Sequence, residues 1–234
     1  METPKTKLTL VHTSDVHLGS ERSQEALQGF EAVLSVVRRL KANALLIVGD
    51  LFDSSHVSRE VVSYAFQSIE GLECPVVMLP GNHDFFITGL DDSLPLPANL
   101  FLLREAAGQA LTFHRLGLTV WGRPVIDHAP DFRPLQGLPS RSGGEWLVAL
   151  CHGLAADDKF LEGRSSPITF RELAQADCDY IALGHVHAFR EVTQGLTPAF
   201  YCGSPSESIS PSAAHVTMDP QSGVTVRPIP ITKG

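Results

Sequence analysis

The sequence predicts an α/β fold in which two mixed sheets pack on each other and are flanked by helices. Three observations predict it. The continuous apolar runs ALLIV and PVVML have the character of parallel strands buried on both faces. The segments between such runs space their apolar residues as helices do. The second half of the chain turns strand-rich, and elements of these kinds bury their apolar faces by stacking in layers.

The first half reads β-α-β-α-β. Lys7–Thr13 alternates and then ends in Ser-Asp. Ser23–Leu40 places Leu27, Phe30, Val33, Leu34, Val37 and Leu40 at helical spacing. Ala44–Val48 is a buried strand, Arg59–Ile69 a second helix with Ser58 as its N-cap, and Pro75–Leu79 a third strand. Leu100–Leu103, Leu111–His114, Leu118–Trp121 and Leu147–Cys151 are candidate strands of the second half. A helix over Thr169–Ala176 precedes a strand at Tyr180–Leu183. Phe189–Thr193, Ala199–Tyr201, His215–Met218 and Val224–Arg227 form a β-rich finish. The Pro-rich stretches Leu94–Ala98 and Asp131–Pro139 read as surface loops, and Ser140–Glu145 as a turn.

At 234 residues and 43% hydrophobic, the chain suffices for one sizeable core, so a single domain over 1–234 is expected. The polar start METPKTK has no apolar core of a signal peptide. The longest apolar runs are far too short for a membrane span, which needs about 20 residues. A cytoplasmic protein without a membrane partner is the expectation. Cys74, Cys151, Cys178 and Cys202 form no CxxC and sit in or beside apolar runs, as buried reduced thiols do. The net charge of −8 comes with scattered Lys and Arg, which disfavours strong intrinsic affinity for nucleic acid.

Five apolar runs end in the same manner. LTLVHTS is followed by Asp15-Val16-His17, ALLIVG by Asp50 with Asp53 beyond it, and PVVMLPG by Asn82-His83-Asp84. LVALC ends in His152-Gly153 and YIALG in His185-Val186-His187. Strands of an open α/β sheet direct their C-terminal ends to a shared crevice. A cluster of Asp, Asn and His gathered there is costly to desolvate unless compensated. A divalent metal is the simplest compensation, and a mixture of imidazole, carboxylate and amide donors suits Mn, Fe or Zn. Asp15 and His17, like His185 and His187, are two residues apart and can project to one side of an extended strand. Gly49, Gly81 and Gly184 precede candidate ligands, where glycine permits a sharp exit and close approach. Asp84 reads equally as a partner of the site and as ordinary turn chemistry. His12, His114, His128 and His215 have no motif context and read as structural or exposed.

Taken in order, TSDVHLG, VGDLFD, PGNHD, CHG and LGHVH resemble the signature blocks of the calcineurin-like metallophosphoesterases, over Ser14 to His187. The resemblance implies a four-layer α/β/β/α sandwich carrying two divalent transition-metal ions, manganese first, with iron or zinc as alternatives. It implies one ion on Asp15, His17, Asp50 and His187. The second would lie on Asp50, Asn82, His152 and His185, with Asp50 bridging. It casts His83 as the proton donor to the leaving oxygen, paired with Asp53, in a hydrolysis of P–O bonds by metal hydroxide. His56 and Ser204 are candidate substrate contacts, and Tyr201–Pro205 either borders the site or is a plain turn.

HTSDVHLG, GDLFD, GNHD and the YCGSP that follows LGHVH are similar to SbcD-type nucleases of double-strand-break repair. That implies a DNA exonuclease-like phosphodiesterase acting on single-stranded or end-bearing DNA, and an ATPase partner. No capping domain is expected within 1–234. A small-molecule or nucleotide phosphodiesterase or phosphomonoesterase is the alternative. A non-catalytic protein-binding scaffold is a third reading, against which the complete ligand set argues.

Overall fold

A computed structural model describes residues 5–84, 86–87, 95–125, 131–164 and 166–232. Leu94 and His128 lie outside the described residues. The first sheet contains β1 (Leu8–Thr13), β2 (Ala44–Val48), β3 (Val76–Leu79), β4 (Leu100–Leu102), β13 (Ser212–Asp219) and β14 (Gly223–Pro230). Its order is β14-β13-β1-β2-β3-β4, with β1 through β4 parallel and β13 and β14 antiparallel. The second sheet contains β5 (Gln109–Phe113), β6 (Leu118–Gly122), β7 (Trp146–His152), β10 (Tyr180–Gly184), β11 (Phe189–Glu191) and β12 (Ala199–Cys202). Its order is β11-β12-β10-β7-β6-β5, with both edge strands antiparallel to their neighbours.

The period of two along each strand divides the apolar residues between faces. In β2, Leu45 and Ile47 face α1 (Ser23–Leu40) and α2 (Arg59–Glu70), whose Phe30, Val33, Leu34, Phe66 and Ile69 cover that side. Ala44, Leu46 and Val48 face the other way, into the layer between the sheets, with Val120, Val148, Leu150 and Ala182 opposite. The outer face of the second sheet carries Trp121, Leu147, Ala149, Ile181 and Tyr201. The two-sheet sandwich flanked by helices is therefore the observed architecture.

The fourth layer is thin among the described residues. It consists of the six-residue α3 (Phe170–Gln175), the two-stranded ribbon β8 (Leu154–Ala156) with β9 (Pro167–Thr169), and the stretch 131–139. That stretch was expected as a surface loop, but it buries Phe132 and Leu135, and Leu135 packs under the second sheet. The apolar face of β7 and β10 needs cover that a six-residue helix cannot supply.

The helix boundaries have local causes. Ser58 caps α2, its hydroxyl accepting from Val61 N. Thr169 and Glu172 form a reciprocal capping box at α3. All four cysteines are buried and free. His12 is buried, with Nδ1 2.9 Å from the Tyr180 hydroxyl, and burial lowers its pKa to about 3. Among the described residues no helix is long and apolar enough to cross a membrane.

Candidate metal centre

The parallel pairing of β1 with β2 continues past the end of the sheet. Asp15 N donates to Gly49 O, His17 N to Asp50 O, Leu18 N to Leu51 O and Asp53 N to Leu18 O, each at 2.9–3.0 Å. Val16, Leu18, Leu51 and Phe52 are buried in the core against α1 and α2 and anchor these two loops. Their polar neighbours are left at the sheet ends. The backbone there is not extended: Asp15, His17, Asp50 and His185 have φ of 55°, 55°, 54° and 97°. Asp and His enter this left-handed region more readily than most residues, but each still costs roughly 1–3 kcal/mol, a strain concentrated at functional sites.

The glycines act mainly through close approach. A Cβ on Gly81 would lie 2.2 Å from Asp50 Oδ1, and one on Gly184 1.9 Å from Val48 O. Gly49, at φ 82°, would drive a Cβ to 2.0 Å from His152 Nδ1.

The cluster has a buried and an open side. Asp15, Asp50 and His152 are buried. His152 Nδ1 donates to Val48 O at 2.9 Å, so its Nε2 faces Asn82 Oδ1 at 3.1 Å and Asp50 Oδ2 at 3.2 Å. Although burial opposes it, the Asp50 carboxylate raises the His152 pKa to about 10; burial likewise opposes, and His152 enforces, a lowered Asp50. On the open side, His187 Nε2 lies 3.5 Å from Asp15 Oδ1 while its Nδ1 donates to Glu207 at 2.8 Å. His17 Nδ1 lies 3.3 Å from Asp53 Oδ1. Burial lowers the pKa of His17 and of His185. His185 N donates to Asp15 Oδ2 at 2.9 Å, and its ring stands 5.3 Å from that of His152.

His83 borders the cavity, its N donating to Asp50 Oδ1 at 2.9 Å. Its Nδ1 meets the main-chain carbonyl of Asp53 at 2.5 Å, so the expected pairing of these two residues runs through the backbone and not through the carboxylate. Asp84 has a clear place. It is buried and accepts from Gly81 N at 2.6 Å, Leu51 N at 2.7 Å and Asp50 N at 3.3 Å, tying the GNHD turn to the GDLFD loop. Burial and the Asp50 charge push its pKa up to about 7.

A cavity of about 620 Å³ opens over the cluster, lined by candidate ligands and by Ser20, Glu21, Arg22, Ser206 and Glu207. His56 is exposed and does not line it. Ser204 is buried and its hydroxyl donates to Asp15 O at 2.6 Å, which directs it to the loop and not to a substrate. The segment Tyr201–Pro205 thus contacts the Asp15 loop but does not line the cavity. Glu207 and Arg22 had no motif to reveal them; proximity to YCGSP was the only sequence signal for Glu207.

The donors fit a metal. Among the described residues, Asp15 Oδ1 and His17 Nδ1 are buried and, although close to His187 and Asp53, make no hydrogen bond. Among the described residues, three groupings bring ligand atoms within 4.8 Å of one another: Asp15 with His17 and His187, His17 with Asp50 and His83, and Asp15 with Asp50 and His152. Asp15, His17 and Asp50 each occur in two of these, so the three groupings form one connected cluster.

A two-sheet sandwich with such a cluster at its strand ends carries a candidate metal centre. Residues 8–189 match the Calcineurin-like phosphoesterase family, and the chain belongs to it. That family uses a dinuclear divalent metal centre. The chain is 26% identical to the SbcD component of the nuclease SbcCD of Escherichia coli, over 85% of this chain and 60% of that one. It is also 26% identical to the DNA double-strand break repair protein Mre11 of Methanopyrus kandleri, over 85% of this chain and 49% of the relative. The chain therefore spans about half to three-fifths of these relatives' length. Among solved structures, TT1561 of Thermus thermophilus superposes with a TM-score of 0.62 at 12% identity, covering 97% of this chain and all of that one.

Proposed function

We propose that the chain is a dinuclear phosphodiesterase acting on single-stranded or end-bearing DNA. The observation that carries this reading is the convergence of the carboxylate, amide and imidazole donors of four strand ends on one cavity, with His152 of a fifth buried against Asn82 and Asp50. The nuclease relatives support DNA as the substrate. A partner ATPase is proposed on resemblance alone.

Asp15, His17, Asp50 and His187 would hold one ion, and Asp50, Asn82, His152 and His185 the other. Manganese is proposed first, iron or zinc next. When bound, such ions supply a water of lowered pKa and neutralise charge on the phosphoryl oxygens. The protein's own groups do the rest. The Val48 carbonyl and Glu207 fix two imidazoles with Nε2 inward. His83, held by its Nδ1 on Asp53 O, keeps Nε2 for the leaving oxygen and acts as general acid. Asp53 fixes that ring through its carbonyl.

A small-molecule phosphoester is the second reading. Glu21 and Glu207 flank Arg22 on the cavity wall, and the chain carries −8, an environment that disfavours a long polyanion.

One panel separates them: single- and double-stranded oligonucleotides, bis-p-nitrophenyl phosphate and a cyclic nucleotide, each with Mn²⁺ and with Asp50→Asn as the blank. Oligonucleotide cleavage is expected. Turnover of the small esters alone would replace the first reading with the second. His83→Ala should retain metal and lose about 10²–10⁴-fold in turnover. Release of metal from His83→Ala would reverse its assignment as acid.

A further inference from the structure

Glu207 lies outside every sequence block of the family, yet it makes a close polar contact with the cluster. Its Oε1 accepts from His187 Nδ1 at 2.8 Å, on the ring edge opposite the Nε2 that faces Asp15. The His187 side chain is 40% exposed, so packing alone does not hold its ring. The segment that delivers Glu207 is itself tied to the ligand loops. Ser204 N donates to His187 O at 3.3 Å, Ser204 Oγ to Asp15 O at 2.6 Å and Ser206 Oγ to Val16 O at 2.6 Å. On its other side the segment presses on α1, where a Cβ at Gly29 would meet Pro205 O at 2.5 Å. Glu207 is thus registered to both Asp15 and His187 through the main chain.

We infer that Glu207 is a positioning residue for the open-side ion: it orients His187 and raises its strength as a ligand. This rests on the two-ion reading of the site. His152, the counterpart on the buried side, is held by a neutral main-chain carbonyl and by burial, and it has no need of a carboxylate. The inference therefore predicts unequal ions. Loss of Glu207 weakens one and leaves the other.

The test is Mn²⁺ binding to the metal-free full chain, by titration calorimetry and by metal analysis after dialysis, for wild type, Glu207→Ala and Glu207→Gln. Wild type should bind two ions. Glu207→Ala should bind one with unchanged affinity and the other about 10–100-fold more weakly. Glu207→Gln, whose amide oxygen can still accept from Nδ1, should fall between them. Circular dichroism and the retained tight ion report that each variant is folded. Two equally tight ions in both variants would overturn the role of Glu207. Parallel weakening of both ions would also overturn it. Fewer than two ions on wild type would instead remove the two-ion reading on which the inference stands.

Discussion

His152 and His187 stand at opposite sides of the same carboxylate cluster, one with its side chain 1% exposed and the other 40%. Each turns Nδ1 away from the cluster and Nε2 toward it. His152 achieves this with Val48 O, a strand carbonyl that no substitution can remove. His187 achieves it with Glu207, a side chain on a loop. Burial makes orientation a property of the fold, whereas exposure requires a dedicated partner. The buried side is consequently bound up with stability, and the open side with ligand affinity and access.

The sharpest way to break that contrast is to remove each imidazole from the metal-free protein. His152→Ala leaves Asp50 buried without its partner, which should cost about 3–5 kcal/mol in denaturant unfolding. His187→Ala, on the half-exposed side, should cost no more than about 1 kcal/mol. Equal losses would show that the two sides are not built differently.

Asp84 extends the buried side into the backbone. Asp84→Ala strips an acceptor from the N–H groups of Gly81, Leu51 and Asp50. An unsatisfied buried donor costs about 1–3 kcal/mol, so the variant should be destabilised by at least that much. Hydrogen exchange should rise at those amides first. Protection unchanged at Leu51 would refute the tie between the loops. This role explains a limit of sequence reading. GNHD was legible as a ligand turn because an apolar strand stops abruptly before it. That Asp84 bonds to amides more than 30 residues earlier was not legible, since the contact exists only once β2 and β3 pair. The same holds for Glu207, placed by the course of the chain from β12 to β13. β8 and β9 were also missed: each is three residues long and pairs only with the other, outside both main sheets. The strand ends, by contrast, could be read because each needs only its own apolar run.

The pH dependence of the metal-free protein should separate the sides further. His152 is raised to about 10, so its contribution is fully present below its ordinary pKa near 6.5 and is lost as pH climbs toward 10. Asp50 is held low, so its contribution is present above about 4 and is lost on acidification. The pair therefore stabilises most between about 4 and 6.5. His187, raised to about 9 chiefly by its contact with Asp15, has the same sign but is screened by solvent. Melting temperatures against pH, with chelator present, should show His152→Gln flattening the alkaline fall and His187→Gln barely changing it. An equal effect of the two would merge the sides.

The smallest expected effect belongs to the rim of the open side. Arg22 is exposed, lines the cavity and lies close enough to Glu207 to help hold its pKa down. It is a cation at the cavity wall between carboxylates, placed where an anionic substrate would enter. Its removal should leave both ions bound and kcat intact, because its charge acts on Glu207 at the cavity wall. KM should rise about two- to fivefold at low salt, as for other exposed charge pairs. The rise should fade as ionic strength brings the screening length below about 10 Å. A fall in kcat at saturating substrate would place Arg22 within the chemistry and would extend the open side from metal binding to catalysis. A KM effect that persists at high salt would point to a direct, desolvated contact with the substrate phosphate.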